Sequence, residues 1–525
     1  MGFFKNMLMN NRRTSGKKRN NSNSTSQQGQ RSRSPHEAHH ADAAAFYTAL
    51  SENERFVRQK LSGTEDIVSR SISLGNRDGL LIYMDTACDS DKIHEDILKP
   101  ITRAQSDDLM RVLTATSVIQ PSDLEEAIDL MLLGHSLVFI EGAADCHAVL
   151  VNSFNNRSVN EPLNEKAVQG AHNGFIESLP VNLNLIRSQI HHRGLVVRHY
   201  TLGNLTKTRA SIVYLKDLAD PLLVEEIDSK LKAIDADNLM SGYLVLEYIE
   251  KQSYSPFPQI LQTERPDRAV GNLLEGRVAL LMDNTPAALI MPVTFFTFYQ
   301  SPDDYNSRSI AGSFIRLLRL FSFMIAIMLP AFYIAVLSFH YEVIPNEVFY
   351  QIKGSIDKIP YPPILEAFFM ELTIELLREA GIRLPGPLGQ SIGIVGGLVI
   401  GDAVVRVGLV SYPMIIVVAL TAIASFVIPS HEMSYSVRLL RFPMMIAASL
   451  LGFFGIVFSL TVILIHLCKL ESFGTPYFAP MSPMRILDWK DAFVRLPFWK
   501  LNERPLAARP QKLVQEKKAK GGRQE

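Results

Sequence analysis

The sequence predicts an α/β cytoplasmic N-terminal region of two related subdomains, followed by an all-α polytopic membrane domain. Three observations support this fold class. With 525 residues, the chain is long enough for several domains. Short apolar runs that suit buried strands alternate with helical patterns in residues 45–305, whereas residues 314–468 are mostly apolar. The order of strands and helices in the first part of the α/β region also returns in its second part.

Composition sets the predicted boundaries. They are a disordered basic tail at 1–44, α/β subdomains at 45–155 and 156–305, a membrane domain at 314–468 and a basic cytoplasmic tail at 469–525. The first tail lacks an apolar core, so we expect no signal peptide and a cytoplasmic N-terminus. Its basic charge either stays solvated or binds anionic lipid.

The cysteines argue against metal or disulfide chemistry. Cys88, Cys146 and Cys468 lie far apart and form neither a metal-binding pair nor a disulfide framework. We expect no metal, no cofactor and no nucleic acid partner.

In the first subdomain, residues 80–84 form a short apolar run suited to a buried strand. A helical lead-in precedes it at 46–70, and a helix follows at 91–101. Ser122 with Glu125 three residues later is typical of a capping box, which opens the next helix. Two strands about a turn complete the unit, at 136–140 and 148–151.

The second subdomain repeats this order. A strand at 211–215 is followed by a helix from Pro221, and the unit closes with a helix at 268–274 and strands at 278–282 and 288–291. Two short segments match between the halves, 82–84 with 213–215 and 134–138 with 276–280. We infer two related α/β subdomains.

Four apolar segments are predicted to cross a membrane, at 320–339, 388–405, 407–428 and 442–467. Arg316 and Arg319 precede the first span, which places the α/β region in the cytoplasm by the positive-inside rule. Four crossings leave both chain ends on that side, whereas five would export the basic tail. Arg438 and Arg441 then fall in an outer loop, against the rule.

Residues 364–379 are helical but carry too much charge for a lipid-exposed span, so an amphipathic or re-entrant helix is predicted. Glu371, Glu375 and Glu379 share one face, and Glu366 points elsewhere. The three carboxylates either line a cation path between copies of the chain or belong to a helix on the outer surface.

The second predicted span carries a charge pair and a glycine ladder. Asp402 and Arg406 are four residues apart and can neutralise each other, as a structural ion pair or as a gating contact. Glycines recur on one helix face at Gly389, Gly393, Gly397 and Gly401. They permit close helix packing, either within one subunit or between subunits.

Charges near the end of the α/β region form a candidate coupling site. Asp267 suits the first turn of a helix that Pro266 opens. Charged neighbours are close enough in sequence to form an ion network between the soluble domain and the membrane edge: Glu264, Arg265, Glu275 and Arg277. The alternative is a capped helix with solvated charges.

A series of short motifs resembles a known family. They are Glu161-Pro162, Gly174-Phe175-Ile176-Glu177-Ser178, Asn184-Leu185-Ile186-Arg187, Thr206-Lys207-Thr208, Phe257-Pro258-Gln259, Thr263-Glu264-Arg265-Pro266-Asp267, Leu274-Glu275-Gly276-Arg277 and Ser301-Pro302-Asp303-Asp304-Tyr305. In this order they resemble the spore germinant receptor A-subunit family of endospore-forming bacteria, over residues 80–499.

The resemblance implies a non-enzymatic membrane receptor subunit. It implies assembly with B and C subunits in the inner spore membrane, and a homo-oligomer of A subunits that forms a ligand-gated cation channel. Nutrients would be sensed mainly through the B subunit.

Other functions remain open. A dipicolinate-associated A-like subunit belongs to the same family. Asp402, Arg406 and the broken helices would also suit a secondary transporter, although the spans are few and show no inverted repeat. An enzyme that uses Asp85 or Asp283 lacks a matching nucleophile, base or metal arrangement in the sequence.

Overall fold

Two five-stranded antiparallel sheets form the N-terminal half of the computed structural model. The structure describes residues 44–104, 108–153, 161–167, 169–356, 359–383, 401 and 403–515. The predicted tail at 1–44 therefore lies almost wholly outside the described residues.

The first sheet has the strand order β1-β2-β4-β5-β3. Its strands are β1 Ile67–Leu74, β2 Arg77–Met84, β3 Val118–Ile119, β4 His135–Ile140 and β5 His147–Leu150. The helices of this part are α1 Leu50–Lys60, α2 at residues 90–103, which contains a π-helical turn, α3 Leu109–Val112 and α4 Leu124–Leu132. Strand β4 is buried along its whole length, as befits a central strand.

The second sheet has the strand order β6-β7-β9-β10-β8. Its strands are β6 Leu195–Leu202, β7 Thr208–Leu215, β8 Leu261–Thr263, β9 Val278–Met282 and β10 Ala288–Met291. The helices are α5 Leu179–Arg187, α6 Pro221–Lys232, α7 Gly242–Ile249 and α8 Pro266–Leu274.

The two sheets share one topology and one register. Counted within each half, both strand orders read first, second, fourth, fifth, third. The segments that match in sequence also pair alike: Ile82 lies opposite Leu137, and the corresponding Val213 lies opposite Ala279. The matched glycines Gly134 and Gly276 both have positive φ, at 88° and 101°. The structural correspondence thus extends to single residues.

Two details of the first subdomain differ from the sequence prediction. Helix α1 ends at Lys60, and residues 67–70 of the predicted helical lead-in belong to strand β1. This segment pairs along its full length with β2, and tertiary pairing overrides a local helical pattern. The helix after Ser122 is capped by Asp123, whose carboxylate accepts the Glu126 N–H at 2.8 Å.

A buried ion pair joins the two α/β subdomains. Arg187 donates to the Asp66 carboxylate at 2.7 Å, and both side chains are inaccessible to solvent. Thr64 and Thr86 also donate to Asp66. Burial alone would raise the pKa of Asp66, but the Arg187 charge and these hydrogen bonds hold it below its usual value.

The C-terminal half is helical. Its helices are α9 Pro302–Asn306, α10 Ser309–Phe339, α11 Asn346–Ile356, α12 Pro363–Arg383, α13 Tyr412–Phe426, α14 His431–Leu451 and α15 Phe453–Lys469. Among the described residues, α10 alone is both long and apolar enough to cross a membrane, and α13 and α15 are shorter apolar helices. We call α10 and α12–α15 the helical bundle.

The segment predicted as one span at 442–467 belongs to two helices in the structure. Helix α14 ends at Leu451, and Gly452 adopts φ 60° before α15 begins. Ser436 of α14 contacts Pro256, and His466 of α15 contacts the adjacent Ser255. The two helices therefore form a hairpin whose open end faces the α/β region.

The bundle has a proximal end beside the α/β region and a distal end at Gly452, which lies against Phe339 and His340. Helix α12 runs between the two ends, because Glu366 contacts Ser411 near the distal end and Arg378 contacts Ser425 near the end of α13. This differs from the predicted surface or re-entrant helix at 364–379. Helix α10 begins and α15 ends at the proximal end.

The second sheet and the bundle share one hydrophobic core. Val213 and Leu281 of the sheet belong to the same buried cluster as Ala326 of α10 and Met445 of α14. Phe295, just after β10, stands between them, with its ring centroid 5.4 Å from that of Phe323 on α10. The sheet and bundle thus pack as one body.

Residues 470–515, which we call the tail, fold back onto the second sheet. They contain the hairpin of β11 Glu471–Ser472 and β12 Thr475–Pro476, and α16 Trp489–Ala492. The Gln511 side chain donates to the carbonyl of Lys216, and Arg504 donates to that of Leu274 at 2.7 Å. This part of the predicted basic tail is therefore a folded cover of the α/β region.

Candidate functional site at the junction and in the bundle

A buried carboxylate marks the point where the α/β region becomes the bundle. Asp304 lies in α9, which opens with a capping box from Ser301. It is 1% exposed and accepts hydrogen bonds from two arginines of α10, Arg316 at 3.3 Å and Arg319 at 2.7 Å. Arg319 also donates to the carbonyl of Tyr299 at 3.1 Å. One carboxylate thus contacts two side chains of about the third turn of α10.

The tail joins the same cluster. Tyr305 donates to the Asp491 carboxylate at 2.8 Å, and Arg316 donates to its other oxygen at 3.0 Å. Burial and the neighbouring Asp491 charge raise the pKa of Tyr305 well above its usual value. We call Asp304, Tyr305, Arg316, Arg319 and Asp491 the junction. It connects α9, α10 and the tail by direct hydrogen bonds.

A second contact links the α/β region to the other helices of the bundle. Gln262 of β8 donates to Glu432 in the first turn of α14. The loop after α7 reaches both helices of the hairpin, because Ser255 hydrogen-bonds His466 at 2.8 Å and Pro256 accepts from Ser436. The α/β region therefore holds both α10 and the α14–α15 hairpin.

The predicted coupling residues form local pairs instead of a network to the bundle. Arg265 is buried and pairs with Asp267 at 2.7 Å, and Arg277 pairs with Glu275 at 3.1 Å. Glu264 accepts from the backbone N–H of Asn164 at 3.0 Å. Arginine side chains reach acids close in sequence, so the predicted network is a set of pairs inside the α/β region.

Two of these residues nevertheless approach the junction across a cavity. Asp267 and Glu275 line a cavity of about 420 Å³ that is also lined by Tyr305 and Asp491. Burial raises the pKa of Glu275. The predicted acids and the junction thus face one space between α8, α9 and the tail.

Within the bundle, the predicted acidic stripe is paired with arginines of α14. Glu371 contacts Arg441, and both side chains are buried, with 1% and 2% exposed. Arg441 also donates to the carbonyl of Ala326 in α10 at 2.8 Å. One oxygen of Glu371 and one nitrogen of Arg441 are buried without a hydrogen-bond partner among the described residues. The pair ties three helices and is incompletely satisfied.

Glu375 forms the next ion pair between α12 and α14, toward the proximal end. It pairs with Arg438 of α14 at 2.6 Å and lies 3.5 Å from Arg378. Arg378 in turn donates to the Ser425 hydroxyl of α13 at 3.0 Å. Glu379 is exposed and pairs with Arg383 of its own helix at 2.6 Å. The stripe thus passes from a buried position to an exposed one.

Glu366, which the sequence places on another face, is also buried. It accepts the Ser411 N–H at 2.6 Å and the hydroxyl of the same residue, which lies 3.0 Å from that of Tyr333. Hydrogen bonds to a turn, in place of an arginine, satisfy this carboxylate.

The remaining predicted site residues are only partly described. Asp402, Gly389, Gly393 and Gly397 lie outside the described residues. Gly401 has open space where a Cβ would stand, and Arg406 is exposed.

Sequence reasoning missed the partners that organise the site. Arg438 and Arg441 were expected in an outer loop, whereas the structure buries them in α14. The signal was available in their three-residue spacing, which places both on one helix face toward the acids of α12. Asp304 appeared in a motif but carried no predicted role.

The architecture consists of two antiparallel sheets and a charged helical bundle that shares its core with the second sheet. Helix α10 of the bundle is long and apolar enough to cross a membrane. The chain belongs to the Bacillus/Clostridium GerA spore germination protein family, whose model matches residues 55–507. This confirms the resemblance that the motifs predict.

Relatives match along most of the chain. It is 37% identical over 464 residues to the uncharacterized membrane protein YfkQ of Bacillus subtilis (strain 168). That alignment covers 87% of this chain and 90% of YfkQ. The chain is 38% identical over 458 residues to spore germination protein A1 of the same strain, with 86% and 95% covered. The crystal structure of the N-terminal domain of the A subunit of the Bacillus megaterium spore germinant receptor GerK3 aligns with a TM-score of 0.39 and 27% identity, over 48% of this chain and 98% of that chain.

Proposed function

We propose that this chain is the A subunit of a nutrient-responsive spore germinant receptor in the inner spore membrane. The observation that carries the proposal is the extent of the family match, which runs from α1 through the bundle into the tail. A match to the sheets alone would support only a shared soluble module. The proposed subunit is non-enzymatic and works with B and C subunits.

In the proposed arrangement, the bundle lies in the membrane, and the α/β region and the tail lie in the spore core with both chain ends. The pairing of Glu371 and Glu375 with arginines supports it, because paired charges cost far less in a bilayer than isolated ones. Large apolar side chains on the outside of α15, such as Phe458, also favour contact with lipid.

We further propose that several copies of the chain form a ligand-gated cation channel. The ion pairs between α12 and α14 support this role, because charged groups within a bundle provide alternative partners between which helices can shift. The junction supplies the connection: movement of the α/β region or the tail displaces Asp304 or Asp491, and thereby Arg316 of α10. A nutrient signal received elsewhere in the receptor would reach the bundle by this route.

The experiment uses spores in which this chain is the single remaining member of its family. Nutrient should trigger release of monovalent cations from these spores, and deletion of the chain should abolish that release until the gene is restored. Release that persists after deletion, or a chain that fractionates away from the inner spore membrane, contradicts the proposal.

A further inference from the structure

The surface around α7 carries exposed tyrosines at the proximal end of the bundle. Tyr243 and Tyr248 lie on α7 and are 43% and 54% exposed, and Tyr254 in the following loop is fully exposed, at 103%. Leu244 beside them is also exposed. We call these four residues the tyrosine surface. Clustered aromatic side chains that are exposed to solvent indicate a surface that contacts another molecule or a membrane.

The height of this surface relative to the bundle is fixed by the next residues along the chain. Ser255 hydrogen-bonds His466 of α15 at 2.8 Å, and the Phe257 ring stacks on the His466 ring with centroids 6.0 Å apart. Tyr254 therefore stands level with the last turn of α15. Helix geometry puts His466 roughly 4.5 Å from Lys469, where α15 ends.

The outer face of α15 marks where the hydrocarbon would end. From Phe454 to Ile465 its exposed side chains are apolar apart from Thr461: Phe454, Val457, Phe458, Val462, Leu464 and Ile465. Ile465 directly precedes His466, and the first charges follow at Lys469 and Glu471. The boundary thus falls within the last turn of α15, where a headgroup layer roughly 5–7 Å thick begins.

We propose that the tyrosine surface inserts into the headgroup layer of the bilayer and anchors the α/β region to the membrane beside the α14–α15 hairpin. Tyrosine suits this layer, because its ring meets the acyl boundary while its hydroxyl stays hydrated. The proposal rests on the membrane arrangement proposed above. It assigns lipid, and not another protein subunit, as the occupant of this face.

The test places a single tryptophan on this surface of the full chain in lipid bilayers. Trp489→Phe and Trp499→Phe first remove the two native tryptophans, after which Tyr254→Trp supplies the probe. Phe458→Trp, on the outside of α15, reports on the membrane arrangement itself. Met110→Trp, at an exposed position of α3 on the first sheet, is the matched control.

Phospholipids brominated near the headgroup should quench the Tyr254→Trp variant more strongly than phospholipids brominated near the chain end, and the Met110→Trp variant should be unaffected by either. Quenching of Phe458→Trp with none of Tyr254→Trp overturns the anchor alone. Shielding of Tyr254→Trp from both lipid and aqueous quenchers shows a protein occupant and also overturns it. Absence of quenching at both positions overturns the membrane arrangement as well.

Discussion

The Glu371 carboxylate of α12 is paired with the Arg441 guanidinium of α14 in the interior of the bundle. Arg441 also bonds the backbone of Ala326, so the pair connects α10, α12 and α14. A buried pair of this kind depends on both charges, because either charge alone is costly to bury.

Removal of one partner should destabilise the bundle. Glu371→Ala leaves the Arg441 charge buried and unpaired, which we expect to cost roughly 3–5 kcal/mol. The double variant Glu371→Leu/Arg441→Met replaces the pair by apolar side chains and should recover most of this loss. Thermal unfolding of the purified chain in detergent measures both.

The matched control is Glu379→Ala, which removes an exposed pair with Arg383 on the same helix. Its effect should be at most about 1 kcal/mol. A double variant Glu371→Leu/Arg441→Met that recovers none of the stability lost in Glu371→Ala would show that the unpaired Arg441 charge is not the cause of the loss.

The pairing of Asp66 with Arg187 should make stability depend on pH. The pKa of Asp66 is lowered in the folded state, so its stabilisation is complete above the unfolded value of about 3.9 and is lost as the pH falls through the folded value. Asp66→Asn should lower the melting temperature at neutral pH, and the difference from the unsubstituted chain should shrink in acid. Melting curves across this range, with Asp85→Asn at an exposed site as the control, provide the measurement. A difference in melting temperature between Asp66→Asn and the unsubstituted chain that stays constant as the pH falls would contradict this prediction.

The hairpin of α14 and α15 should depend on Gly452. Its φ is 60°, and a Cβ at this position would stand 2.8 Å from Cε1 of His340. We expect Gly452→Ala to destabilise the chain by roughly 1–3 kcal/mol. Gly381→Ala in α12 meets open space and should stabilise it by up to about 1 kcal/mol through helix propensity. Shifts of the melting temperature in the same direction for both variants would be inconsistent with a glycine-dependent turn.

The central strands of both sheets were predictable because their side chains are buried on both faces. Strands β9 and β10 match the predicted residues, and β4 and β5 do so within one residue. Strand β1 was not predictable from its local pattern, because serine and arginine alternate with its apolar residues. Its pairing with β2 decides its structure, and that information is not local.

The site was less predictable than the fold. Sequence spacing identified the face that Glu371 and Glu375 share, but their partners lie more than sixty residues away on α14. A hydropathy scale assigns Glu371 and Arg441 an unfavourable value each, because it does not account for the ion pair in which their charges neutralise each other. The family motifs identified contact residues more directly. Arg187, Phe257 and Asp304 each belong to a motif, and each lies at a contact between parts of the molecule.

The most direct test of the account concerns Asp304, which holds both Arg316 and Arg319 at the junction. The measurement is nutrient-triggered cation release from spores that contain this chain as their single family member, with the amount of chain in the membrane determined in parallel. Asp304→Asn should abolish or strongly reduce release at a normal amount of chain. Asp303→Asn, which changes a neighbouring acid bonded to the Gln169 N–H at 3.3 Å, should leave release unchanged. Normal release from Asp304→Asn spores would contradict the claim that the junction transmits the signal to the bundle.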